Sequence, residues 1–258
     1  MSADTCCRGP LFAPLRQWLE QLPTAPATAG LNDLLARHPV LGEDGEAIRF
    51  VPPAVDGLAY ECRIRELAAV ETRPDNWHDF FNALVWLSFP RSKRAITAAH
   101  VNAMTPAGAA RGQVRDALTH FDECGIAVLS TQPVLLELLR AHCWRELFVE
   151  QRQAVLACMR FVVFGHATYE QLLRPYRGLT AKAVLYEIGN DCLALGDEAL
   201  NSALDERLAA DFAAGRYTRP RDFQPLPLLG IPGVTADNED PAYYDDVRQF
   251  RPARRQAV

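Results

Sequence analysis

The sequence predicts an α+β fold: a helix-rich single domain with short antiparallel hairpins and an extended C-terminal arm. Three observations lead there. Apolar residues recur at helical spacing in several stretches, the pattern of amphipathic helices. Between them lie brief alternating segments bounded by Gly, Pro and Asp, which read as strands and turns. A strand–helix–strand rhythm of the kind that builds a parallel nucleotide-binding sheet is not evident, and helices separated by hairpins are the α+β pattern.

The elements follow in order. Phe12 to Leu22 puts Leu15, Trp18, Leu19 and Leu22 on one stripe and stops at Pro23. Residues 24–30 (Thr-Ala-Pro-Ala-Thr-Ala-Gly) read as a linker, so 1–30 is an N-terminal helix with its linker. Leu31 to Arg37 is a second short helix before Pro39. Ile48 to Val51 is a strand. Tyr60, Cys62 and Ile64 alternate with Glu61, Arg63 and Arg65, the period of a half-buried strand, and Val70 to Thr72 is its hairpin partner.

Asp75 or Asn76 caps a helix from Trp77 to about Leu87, with Phe80, Leu84 and Leu87 on one face. Phe89-Pro90 ends it, another helix covers about Ser92 to Met104, and Arg111 to Arg115 is a basic loop. Leu118–Phe121 and Ile126–Leu129 read as the clearest hairpin, with Gly125 supplying a left-handed turn residue. Beyond Pro133 a helix leads into a long helical stretch from about Glu146 to Arg174, which Pro175 ends. Ala183 to Ile188 is a further strand. Asp197 to Ala214 is a helix with Gly215 at its C-terminal cap, and 220–258 is a Pro-rich extended arm.

Composition narrows the function classes. A chain of 258 residues buries roughly 70–75% of its unfolded surface, so it needs neither disulfides nor a structural metal to fold. The net charge of −5 speaks against nucleic acid, whose phosphates demand a basic footprint. The basic residues cluster only in the tail, at Arg248, Arg251, Arg254 and Arg255. Seven cysteines, none spaced Cys-x-x-Cys, fit neither a zinc framework nor a disulfide scaffold, and indicate a reducing compartment. Met1 to Pro14 lacks the basic start and apolar run of a signal peptide, and no apolar stretch is long enough to span a membrane. A soluble cytoplasmic protein is expected. The glycine-rich phosphate loops GxGxxG and GxxxxGKS are absent.

Three polar clusters carry candidate chemistry. In Asn76-Trp77-His78-Asp79-Phe80-Phe81-Asn82, His78 and Asn82 are four apart on one helical face and can ligate a metal or polarise a substrate, with Asp79 beside them. The same residues fit a helix start, with Asn76 as cap and Asp79 suiting the helix dipole. In the second cluster Arg115 and Asp116 open the expected first strand of the Leu118 hairpin, with Asp122 and Glu123 assigned to its turn. In Phe164-Gly165-His166-Ala167, His166 and Glu170 are four apart and can form a metal-ligand pair or a histidine oriented by a carboxylate. A core histidine with Gly165 at a close approach is the alternative.

These residues support two hypotheses. One is a metal-assisted hydrolase, directed at a phosphoester. His78, Asn82, Asp116 and His166 act in it as ligands or acid–base groups, Asp79 and Glu170 orient histidines, and Arg115 stabilises an anion; the cofactor would be a divalent metal. The other is a non-catalytic protein whose polar motifs form an internal hydrogen-bond network and whose aromatic, acidic segment Tyr243 to Phe250 meets a partner. Physiological partner and oligomeric state are not specified by the sequence.

Trp77-His78-Asp79-x-Phe81-Asn82-Ala83-Leu84, followed by Phe89-Pro90-Arg91-x-Lys93 and His100, resembles the first signature of an uncharacterised bacterial family, domain of unknown function 3025. Arg115-Asp116-Ala117-Leu118-Thr119-x-Phe121-Asp122-Glu123-x-Gly125 is similar to its second, and Phe164-Gly165-His166-Ala167 to its third. The arm from Pro227 to Pro252 is similar to its C-terminal end. The resemblance spans about Tyr60 to Pro252 and implies a bacterial protein of this length. It carries no catalytic assignment onto these positions.

Overall fold

In the computed structural model, residues 7, 9–22, 26, 28–104 and 110–253 are described. Cys6, the linker positions 23–25 and 27, and Arg254 and Arg255 of the basic tail lie outside them. The chain starts with a 3-10 turn, Pro10–Leu15, running into the short α1, Arg16–Leu19. Then follow α2 (Ala29–Arg37), β1 (Arg49–Val51), α3 (Tyr60–Leu67), β2 (Ala69–Glu71), α4 (Trp77–Ser88) and α5 (Pro90–Asn102). Next come α6 (Ala110–Cys124), β3 (Gly125–Ser130), α7 (Pro133–Arg140), α8 (Arg152–Cys158), β4 (Met159–Val163) and α9 (His166–Leu172). The last elements are β5 (Thr180–Glu187), α10 (Asn190–Leu193), α11 (Asp197–Ala213) and β6 (Gln224–Pro227), with 3-10 turns beyond.

The α+β class holds, and so do α4, α5, α11, β1, β2 and β5, within a few residues of the expected bounds. Asn76 caps α4 through its Oδ1, which accepts from the Asp79 amide at 3.0 Å. Gly215 follows α11 at φ 65°, the left-handed cap that glycine adopts without a Cβ penalty.

Three expectations fail. Tyr60–Leu67 is helical, since Tyr60, Ile64 and Leu67 also satisfy an i, i+4, i+7 stripe; β2 instead pairs in parallel with β1. Leu118–Phe121 is helical too. Val114, Ala117, Leu118 and Phe121 step by three and four residues, so α6 runs from Ala110 through the supposed basic loop and turn to Cys124. Gly125 is not in the left-handed region. A Cβ there would meet the Phe121 ring at 2.9 Å and collide with its carbonyl, so glycine answers to packing. Finally, the long helix 146–174 is broken into a π-helical turn (Glu146–Glu150), α8, β4 and α9. The run Phe161-Val162-Val163 is β-branched and aromatic, and a short apolar run is ambiguous between buried helix and strand until a neighbour pairs with it.

The main sheet has the order β4-β3-β5-β6. β3 is buried along its whole length, antiparallel to β4 (Ile126↔Val163) and parallel to β5 (Val128↔Leu185). β6, from the C-terminal arm, adds an antiparallel edge (Lys182↔Pro225). The parallel pairs β1–β2 and β3–β5 are thus joined across helices, a rhythm too irregular to be evident in sequence. One apolar core links the N-terminal segment, α4, α6, the sheet and the arm through Phe12, Phe81, Phe121, Val128, Phe164 and Phe250. The described residues include no helix long and apolar enough to cross a membrane.

Candidate metal centre

Helix ends converge at one point. Phe164 and Gly165 both donate their backbone N–H to Gly125 O at 2.9 Å, locking the exit of β4 onto the junction of α6 and β3. A Cβ on Gly165 would lie 2.6 Å from Cys124 Cα and collide with Glu123 O and Gly125 N, so only glycine permits this approach. It sets His166, at the start of α9, against Asp122 and Glu123 at the end of α6. Helix α4 packs along α9 and delivers His78 to the same place.

The two imidazoles meet edge to face, with His78 Nε2 and His166 Nε2 3.0 Å apart. Glu123 Oε2 lies 3.6 Å from His166 Nε2 and 3.9 Å from His78 Nε2. A triangle with these sides has a circumscribed radius of about 2 Å, so one ion can reach all three atoms at the roughly 2.0–2.1 Å of zinc–nitrogen and zinc–oxygen bonds. Behind the triangle, His78 Nδ1 is 3.2 Å from Glu170 Oε2 and His166 Nδ1 is 3.9 Å from Asp122 Oδ2. Glu170 favours N–H at His78 Nδ1, which turns the His78 Nε2 lone pair toward His166 Nε2, while His166 Nδ1 is buried without a hydrogen-bond partner. Two ring nitrogens this close share either a proton or a cation. Burial pushes His166 down to about 3, against the pull of Asp122, so this ring is neutral and a ready ligand.

A cavity of about 410 Å³ opens beside the triad. Lys93 is buried in its wall, with Nζ 2.6 Å from Asp122 Oδ1 and 2.9 Å from Asn82 Oδ1; Asn82 in turn donates to Tyr60 OH at 2.9 Å. Burial raises the Asp122 carboxyl, but the Lys93 ammonium, through its charge and its hydrogen bond, outweighs it and holds it below its usual value. At the far wall His100 Nδ1 faces Glu61 Oε1 at 3.7 Å, and burial lowers the imidazole toward neutrality.

Of the seven residues singled out from sequence, five gather here: His78, Asp79, Asn82 and His166 line the cavity, and Glu170 backs His78. Asp79 is committed elsewhere, accepting from the Arg73 amide, Nε and Nη2 at 2.8, 2.8 and 2.9 Å. Arg115 and Asp116 do not line the cavity; on a helix rather than a strand, Asp116 is exposed and Arg115 is half-buried, with its charge acting on His100 of the far wall. Glu123, Asp122 and Lys93 are the functional candidates that sequence reasoning missed. The signal was present: with α6 read as helical, Thr119, Asp122 and Glu123 share one face at i, i+3, i+4.

No curated protein and no solved structure matches this chain. A family model described as "Protein of unknown function (DUF3025)" matches residues 48–254, a span that holds all the cavity residues. The three signatures that meet at the triad therefore lie within a single family unit, and the chain belongs to the family of that description.

Proposed function

We propose that the protein is a metal-assisted hydrolase whose divalent ion is held by His78, His166 and Glu123. One observation carries this reading: two imidazole Nε2 atoms 3.0 Å apart, closed into a triangle by a carboxylate, with a carboxylate behind each ring. Two histidines and one carboxylate leave coordination positions open, the pattern of catalytic rather than structural zinc sites. His78, His166 and Glu123 would hold a dication whose chemistry is to lower the pKa of water toward about 7, which would supply a nucleophile without a dedicated base. The cavity is lined by Glu61, Glu71, Asp79, Asp122 and Glu123 against Arg73 and Lys93, and Lys93 is paired with Asp122, so attraction for an anionic ester would rest on the bound dication itself; a phosphoester is the substrate class we propose. Hydrolysis of such an ester would form one P–O bond from water and break the ester P–O bond, with a proton of that water passing to the leaving alcohol.

A second reading has its own support. The chain Asp122–Lys93–Asn82–Tyr60 ties α3, α4, α5 and α6 together through buried polar groups, as a purely structural network would. A metal inventory of purified untagged protein, beside Glu123→Gln and His78→Ala variants, separates the two. Near one equivalent of a divalent metal, lost in both variants together with hydrolysis of a generic aryl phosphate, is the expected result. Metal-free protein that stays inert when zinc, manganese or magnesium is added leaves the structural network as the function of these residues.

A further inference from the structure

A second cavity, about 880 Å³ in volume, shares no lining residue with the metal centre. It is bounded by β5, β6 and the end of the C-terminal arm. Lys182, Arg221, Arg248 and Arg251 line it, and no carboxylate does. Among the described residues none of the four takes part in an ion pair, in a protein whose net charge is −5. Cations gathered around one space repel each other unless an anion joins them.

The amide of Gln249 provides an independent observation. Gln249 is 4% exposed and lines this cavity. Its Oε1 is occupied, accepting from the Gly178 amide at 3.0 Å and from Tyr243 OH at 3.4 Å. Its Nε2, on the other side of the amide, is buried without a partner. A buried donor left unmade is costly, and a ligand oxygen would satisfy it. The wall is held in place: Trp144 Nε1 donates to Arg251 O at 2.8 Å, and Phe250 packs against Gly230.

We propose that this cavity binds an oligophosphate group, free or carried on a small organic molecule, with Lys182, Arg221, Arg248 and Arg251 balancing its charge and Gln249 donating to one of its oxygens. The volume suits a small molecule, and the forked guanidiniums suit phosphate oxygens. The site is independent of the metal-centre reading.

Calorimetric titration of the full chain with inorganic triphosphate, and in parallel with a nucleoside triphosphate, tests it. Saturable binding is expected that weakens at least about tenfold in an Arg221→Ala/Arg248→Ala variant and persists in Glu123→Gln. Both arginines are exposed, so the fold survives their loss. A Gln249→Leu variant that folds should also bind more weakly. Equal binding of both titrants identifies a free oligophosphate ligand, and preference for the nucleotide a carried one; both support the site. Absence of saturable binding at millimolar triphosphate overturns the proposal. So does loss of binding in Glu123→Gln with retention in the arginine variant, which would place the anion at the metal centre. Tighter binding of a twelve-nucleotide single strand than of triphosphate at equal salt would replace the site with a nucleic-acid surface.

Discussion

Lys93 shows how much one side chain in this cavity carries. Its side chain is 3% exposed, and its ammonium is held between Asp122 and Asn82. Replacing it with methionine keeps the volume but leaves the Asp122 carboxylate facing a neutral wall. Breaking a buried pair from one side costs about 3–5 kcal/mol; because the Asp122 side chain retains 19% exposure, the lower end is expected. Urea denaturation of Lys93→Met should show a lower midpoint at unchanged slope, and Lys93→Met/Asp122→Leu should recover part of the loss. A midpoint equal to the parent's would mean that the pair contributes nothing to folding. At this scale much of the site was legible: His78, Asn82, His166 and Glu170 stood out as polar residues at helical spacing inside apolar stretches. Asp122 and Glu123 did not, because the pairing of Asp-Glu with a following glycine is also what a turn looks like.

At the scale of elements the decisive contact is backbone against backbone. The N-terminus of α9 touches the end of α6 only because Gly165 has no side chain. Gly165→Ala should push α9 outward, costing roughly 1–3 kcal/mol as overpacking does. It should also separate His166 from Glu123, so that metal affinity falls at least about tenfold while helix content is kept. Circular dichroism with metal titration checks this; a variant that retains full metal affinity would show that the close approach is unnecessary. The elements misread from sequence, α3, α6 and β4, share one cause. Each is short or locally ambiguous, and its apolar residues satisfy two periods at once. Tyr60-x-Cys62-x-Ile64 alternates like a strand, yet Tyr60, Ile64 and Leu67 line one face of α3. For Phe161 to Val163, strand geometry is settled by pairing with β3.

Across the whole molecule, distant segments complete local structure. Asp205, on α11, caps α5 from more than a hundred residues away, its carboxylate accepting from the Arg91 amide at 3.0 Å and the Ser92 amide at 2.7 Å. Losing a cap costs roughly 0.5–2 kcal/mol, and the buried Ser92 amide and part-buried Arg91 amide left without an acceptor add to it. Asp205→Ala should therefore destabilise the protein by about 2–4 kcal/mol, read as a lower midpoint in thermal or urea unfolding. A change under about 0.5 kcal/mol would assign the helix start to Pro90 alone.

The sequence by itself determined the α+β class, the helices α4, α5 and α11 with the Asn76 and Gly215 caps, the family, and the residue types available for chemistry. Those depend on composition and on periodicity within about a dozen residues. Only the tertiary structure decided that His78, Glu123 and His166 share one point, that Arg115 and Asp116 do not join them, and that four cations line a second cavity. Each of these depends on packing between segments far apart in the chain, and such contacts leave no local period to read.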